Sequence, residues 1–265
     1  MGAKFSVWVL RIAAAIFLLA AMLGLWLSVV PLWAKGLLTG LAFLGGATLA
    51  FWKEPAFDPL CRVRWRVPSP GRKLCAITFD DGPSPDTGQV LDALAHARVA
   101  ATFFVLVEHA RRHPELLRRA QADGHAIGIH GMTHRKLNGA DESTVEREVQ
   151  GALEGLRAIG VTPAPLYRPP HGFKSRAVFR LARQLRLTIW AWSRGVWDTD
   201  LPPADVLVLR ATRCARPGMV LLLHDGRGDE PSPHIGPMIE ALPRIIEKLR
   251  NRGFEFVRLD RIDPP

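Results

Sequence analysis

Residues 75–87 read CAITFDDGPSPDT, and the chemistry of the chain starts at the pair Asp80–Asp81. A strand-like apolar run delivers two adjacent carboxylates to a buried strand end, where charge is costly. Asp-Gly-Pro is also turn chemistry, but one Asp before Gly82-Pro83 would satisfy that. The second carboxylate calls for compensation, most simply a metal ion. HGMTH offers His130 and His134, four residues apart. On a helix that spacing puts both rings on one side, although the Glu of the H-E-x-x-H motif is missing. With Asp81 they make two His and one carboxylate, a set used by zinc hydrolases and by non-haem iron oxygenases. Asp80 is then left to take a proton from water. Arg168, in YRPPHG, can hold that carboxylate through charge-assisted hydrogen bonds. His224, in LLLHD, ends a buried run, and Asp198 can favour its protonated form, which makes it a general acid.

These groups need elements to position them. Apolar runs at 74–79, 101–106, 125–129, 165–168, 187–192, 219–223 and 254–257 read as strands, and helical patterns fall between them. Pro114 stands at a first helical position. Ser143 and Glu146 read as a capping box. Alternation of this kind predicts a parallel sheet or barrel, whose C-terminal strand ends share one face. Asp80, Asp81, His130, Arg168, Asp198, His224 and Asp225 all follow strand-like runs, so they are expected to converge there.

The stretches TFDDGP, HGMTH, RPPHG, WSRGVWD and LLLHD, in that order, resemble the five motifs of the polysaccharide deacetylase family, the carbohydrate esterases of family 4 with a NodB-homology domain. The resemblance covers about residues 72–260. It implies a distorted (β/α) barrel and removal of N-acetyl, sometimes O-acetyl, groups from sugars. It also implies one divalent ion, zinc first, with cobalt, nickel or manganese as alternatives. Carried over by motif, Asp80 is the base and Arg168 orients it. Asp81, His130 and His134 hold the metal, and His224 is the acid tuned by Asp198. His171, Leu223 and Trp197 fall at the substrate, with Leu223 lining the acetyl-methyl pocket and the His171 N–H as an oxyanion donor. Four positions depart from the pattern: Gly131 replaces Ser or Thr, His171 an aromatic, Gly195 an Asp and Thr199 a Trp. The first removes a hydrogen bond beside the metal; the others alter the pocket wall.

The front of the 265-residue chain reads differently. No charged residue occurs from Ile12 to Val30, and nineteen helical residues span about 28 Å, close to a bilayer core. A second apolar run follows the PLWAK turn. Residues 1–53 are therefore expected to be a membrane anchor, a bacterial inner-membrane hairpin of two helices at about 5–30 and 34–52. A basic linker, 54–72, and a deacetylase domain, 73–265, would follow. Lys4 and Arg11 before the hairpin, and Arg62, Arg64, Arg66, Arg72 and Lys73 after it, place the domain in the cytoplasm by the positive-inside rule, with a periplasmic domain as the alternative. The expected substrate is then an acetylated sugar on a polyprenyl phosphate, with the arginines against anionic lipid. The alternative is peptidoglycan or an exported polysaccharide. The net charge of +10 comes without interleaved aromatic-basic motifs, so nucleic acid is not an expected partner. Three separated cysteines, Cys61, Cys75 and Cys214, build no disulfide framework. An oxygenase would sit on many short strands rather than a βα alternation. A two-metal phosphoesterase needs more carboxylates than the motifs supply. A catalytically dead sugar binder would have lost Asp80 or His224.

Overall fold

The computed structural model describes residues 18, 21, 31–53 and 63–262, apart from 174, 229, 231 and 232. The chain divides into two units, 1–52 and 53–265. In the first, Leu32–Lys53 forms helix α1.

Among the described residues no helix is long and apolar enough to cross a membrane. This overturns the two-pass inner-membrane expectation. The first span, about 5–30, lies outside the described residues apart from 18 and 21. The second falls on α1, which Lys35 and Lys53 bracket. The cytoplasmic placement and the lipid-carried substrate rested on the hairpin and lose that basis. The basic cluster also has work inside the fold. Arg72 pairs with Glu255, the Lys73 ammonium donates to the Arg252 carbonyl, Arg66 donates to the Pro217 carbonyl, and the Arg64 guanidinium lies 5.6 Å from the centre of the Trp190 ring.

The second unit is a curled parallel sheet with helices on its outside. Its strands are β1 (Val63–Arg64), β2 (Leu74–Asp80), β3 (Thr102–Leu106), β4 (Ala126–Gly131), β5 (Leu166–Tyr167), β6 (Thr188–Trp190), β7 (Arg194–Gly195), β8 (Met219–His224) and β9 (Glu255–Phe256). They run in the order β1-β6-β5-β4-β3-β2-β8-β7, with β9 also on β2. Helices α2 (Thr87–Ala97), α3 (Val107–Ala110), α4 (Pro114–Ala122), α5 (Glu142–Ala158), α6 (Arg176–Gln184), α7 (Ala204–Thr212) and α8 (Gly236–Asn251) lie between strands in the chain. β2 is buried along its whole length, the pattern of a parallel strand covered on both faces. Its residues alternate. Cys75, Ile77 and Phe79 join the core under the helices, while Leu74 and Ala76 pack in the barrel interior with Phe104, Leu166, Trp190 and Val220. Burial pushes the Cys75 thiol up to about 12, so this cysteine is an inert core residue.

One bent stretch closes most of the barrel. Residues 188–190 pair with β5 and β1, and after a bend at Trp192–Ser193 residues 194–195 pair with β8. The Ser193 hydroxyl accepts from the Val220 N–H at 2.9 Å and pins that bend. The remaining seam is crossed by residues 63–67, which the sequence had suggested were linker. Val63 and Arg64 pair with β6, and the Val67 N–H donates to the Gly218 carbonyl just before β8.

Candidate active site

Asp80 is the last residue of β2 and faces the barrel interior beside His224, its register partner on β8. In a continued strand Asp81 would turn to the opposite face. It adopts φ +71° instead, and this left-handed residue brings the second carboxylate to the same side. His130 Nε2 lies 4.0 Å from Asp80 and 3.2 Å from Asp81. The next residue must be glycine, because a Cβ at 82 would sit 2.1 Å from the Asp225 carboxylate.

His130 is the penultimate residue of β4. Its Nδ1 lies 2.7 Å from the Arg168 carbonyl, which can only accept, so Nδ1 carries the proton and Nε2 is left for a metal. The His134 Nε2 approaches the same Asp81 Oδ1 at 3.3 Å. One ligand atom from each of Asp81, His130 and His134 lies within 4.8 Å of the other two. Asp81 Oδ2 accepts from the Gly228 N–H at 2.9 Å, whereas Oδ1 is buried without an aligned hydrogen-bond partner. Burial pushes the Asp81 carboxyl up, but the adjacent His130 and the charges at His224 and His134 outweigh it and hold it well below the usual carboxylate range. An orphaned, ionised oxygen facing two imidazole nitrogens fits a divalent cation.

Arg168, at the end of β5, is fully buried. Its Nη1 donates to Asp80 Oδ1 at 2.6 Å and to Thr78 Oγ1 at 2.8 Å, and its Nη2 donates to the Ala191 carbonyl at 3.0 Å. The Phe104 ring lies 4.2 Å beneath the guanidinium. Burial lowers its basicity and Asp80 restores part of it. Asp80 is thus gripped from one side and leaves its other oxygen toward the histidines. Across the site Asp198 accepts twice from His224, from the backbone N–H at 2.7 Å and from Nδ1 at 2.9 Å. Burial works against charge on this ring, but Asp198, with Asp81 and Asp80 behind it, raises it to about 10. His224 therefore stands protonated at neutral pH with Nε2 as the nitrogen not held by Asp198.

The polysaccharide deacetylase profile matches residues 68–190. The chain is 32% identical over 210 residues to a peptidoglycan-N-acetylglucosamine deacetylase of Bacillus cereus, covering 77% of this chain and 94% of that protein. The chain belongs to the polysaccharide deacetylase family. The expected enzyme class, a carbohydrate deacetylase, stands. A chitooligosaccharide deacetylase of Rhizobium leguminosarum bv. trifolii is 38% identical over 190 residues, covering 68% of this chain and 87% of its own. Among solved structures, the Bc1960 peptidoglycan N-acetylglucosamine deacetylase superposes with a TM-score of 0.72 at 28% identity, over 78% of this chain and 97% of its own. A family 4 carbohydrate esterase from Streptomyces lividans, in complex with acetate, gives 0.61 at 27% identity, over 69% and 90%.

Several details of this deacetylase differ from the sequence reading. His130 and His134 do not share a helical turn. A strand end and a bend bring them together, and Glu148 of α5 secures the bend by accepting from the Thr133 N–H at 2.9 Å and from its hydroxyl at 2.8 Å. Glu148 lies in a helix that reads only as amphipathic, and no motif signals this role. Gly131, where the family has Ser or Thr, sits at φ +133°, and a Cβ there would meet the Thr133 carbonyl at 2.9 Å. Asp225, visible in LLLHD, accepts from the Thr87 hydroxyl at 2.7 Å and ties β8 to the start of α2; burial pushes it up to about 7. His109, which the motifs did not reveal, bonds the Asp81 carbonyl through Nδ1 at 2.7 Å.

A cleft of about 640 Å³ opens beside His224 and Asp198. His171 and Trp197, which the family resemblance put at the substrate, line it. His171, at φ +57°, packs its ring 4.2 Å from that of His134, and burial lowers its basicity. Trp197 is 67% exposed. Leu223 is not on the cleft. Strand alternation sends Leu223 into the core under the helices, and Leu222 faces the cleft instead.

Proposed function

We propose that the protein removes acetyl groups from N-acetylglucosamine units of a glycan of the peptidoglycan or chitooligosaccharide kind, with one divalent cation, zinc first, held by Asp81, His130 and His134. The observation that carries this is the opposed pair Arg168–Asp80 and Asp198–His224, flanking the three candidate ligands at one end of the barrel. When bound, the cation supplies Lewis-acid polarisation and positive charge for an amide oxygen that becomes an oxyanion. Asp80, gripped by Arg168, takes the proton from the attacking water as its oxygen bonds to the acetyl carbon. Arg168 keeps the second Asp80 oxygen occupied, so the free one meets the water in one orientation. His224 then gives the proton on Nε2 to the sugar nitrogen as the C–N bond breaks, and acetate and a free amine leave. An amine is a poor leaving group without that proton, which is why an imidazolium of raised basicity suits the step. The backbone N–H of His171 is assigned to the oxyanion, and Trp197 and Leu222 to the sugar and its acetyl group.

The two curated relatives above are named for peptidoglycan N-acetylglucosamine and for chitooligosaccharide, which favours this substrate over a lipid-carried sugar. The test is acetate release by the zinc-loaded protein from N-acetylated glucosamine oligomers, from peptidoglycan strands and from O-acetylated xylan. Acetate and free amine in equal amounts from the first two support the reading. Acetate from the xylan alone would overturn it.

A further inference from the structure

Every strand of a parallel barrel sends its C-terminal end to the catalytic face. β1 is too short to be legible in the sequence, yet it does the same. Arg64 accepts from the Ala191 N–H at 2.7 Å, and Trp65 is the next residue. Trp65 lines the cleft that also holds His224 and Asp198. Among the described residues of the second unit, Trp65 and Trp197 are the only strongly exposed tryptophans, at 40% and 67%, and both line this cleft. A singly exposed apolar side chain is ordinary, but two exposed indoles lining one cleft make the kind of apolar patch that marks a ligand groove. Trp65 comes from the seam-crossing segment rather than from any of the five motifs. The Arg66 guanidinium, 5.5 Å from the ring centre, and the Val67–Gly218 bond hold Trp65 to the barrel on its chain-following side. The cleft is also far larger than an acetamido group fills.

Resting on the glycan reading above, the geometry points to Trp65 as a specificity-determining residue. Its indole stacks on a sugar ring beyond the one being deacetylated, so the enzyme favours longer oligomers. The apolar C–H face of a pyranose is the chemistry that an indole recognises, and its flat ring gives contact area at little entropic cost.

The test measures binding of N-acetylated glucosamine dimer and hexamer to the full-length protein. The Asp80→Asn background suppresses turnover, and tryptophan fluorescence and calorimetry follow binding. Trp65→Ala is expected to weaken the hexamer about tenfold, equivalent to about 1.4 kcal/mol, and the dimer much less. Trp65→Phe, which keeps a flat ring, recovers most of the loss. In the active protein, the same Trp65→Ala change lowers the hexamer-to-dimer ratio of kcat/KM, through KM. Equal weakening of both oligomers, or none, overturns the role of Trp65 while leaving the deacetylase reading intact. Failure of the parent protein to release acetate from either oligomer overturns the glycan reading, and the Trp65 assignment with it.

Discussion

Asp198→Asn separates the account of the acid from a merely structural one. The asparagine oxygen keeps the backbone bond to His224, now 2.7 Å, and its NH2 group is left facing Nδ1, now 2.9 Å from a carboxylate oxygen. Two donors cannot share that line, so Nδ1 must give up its proton and accept. The ring then rests neutral with its proton on Nε2, a far weaker acid. The parent ring sits at about 10 against an ordinary 6.5, roughly 5 kcal/mol of preference for the imidazolium at 1.36 kcal/mol per pH unit. Asp80 and Asp81 carry part of this, and a cation bound at Asp81 cancels some of their share, so the loaded enzyme has its alkaline limb below 10. The charge-assisted Nδ1 bond alone is worth about 1.5–3 kcal/mol. The alkaline limb of kcat/KM should therefore move about one to two pH units acidward, with kcat near neutrality down about 10²–10⁴-fold. The sign in stability follows from linkage. A raised folded pKa contributes stability that is fully present below 6.5 and fades as pH rises through about 10. Urea unfolding of the variant should show a deficit at pH 6 that closes by pH 10. Stopped assays on an amide and on an activated aryl ester, across pH 5.5–10, would read the rest, with the ester loss much the smaller. An alkaline limb that stays in place, or equal losses on amide and ester, would refute the assignment of His224 as an acid tuned by Asp198.

Glu148→Ala frees the Thr133 bend, and zinc affinity measured by chelator competition should fall about 10–100-fold, as for other losses of groups that orient a ligand; unchanged affinity would remove Glu148 from the site. Leu223→Ala should cost about 2–5 kcal/mol in urea unfolding as a core cavity, whereas Leu222→Ala should cost less stability and alter KM and the preference between acetyl and propionyl substrates. The reverse pattern would mean that β8 presents the opposite face.

The candidate metal triad, the Asp80–Arg168 grip and the Asp198–His224 pair were all legible in the motif stretches, and Asp80, His130, Arg168 and His224 each close an apolar run. Seven of the strands could be read the same way. β1 and β7, two residues each, carry no periodicity, so Trp65 and the closing bend at Ser193 stayed hidden. The helical spacing of His130 and His134 misled because i, i+4 is also spanned by a bend once a glycine at φ +133° follows the first ligand. Leu222 and Leu223 are chemically identical, and only the pairing of His224 with Asp80 tells which faces in. The capping box at Ser143 was displaced by Asp141, whose carboxylate accepts from the Thr144 N–H at 2.7 Å and starts α5 two residues earlier. The hairpin was drawn from the lengths of two apolar runs and the turn between them, and among the described residues no helix meets the length and apolarity that a span needs.

The division of labour between neighbouring aspartates is tested most directly by comparing Asp80→Asn with Asp81→Asn in one experiment, zinc titration calorimetry paired with acetate release from an N-acetylated glucosamine hexamer. Asp80→Asn should bind one equivalent of zinc and release almost no acetate. Asp81→Asn should bind zinc far more weakly, through loss of the ligand oxygen that faces His130 and His134. Equal zinc binding by the two variants, or full activity in Asp80→Asn, would contradict the account.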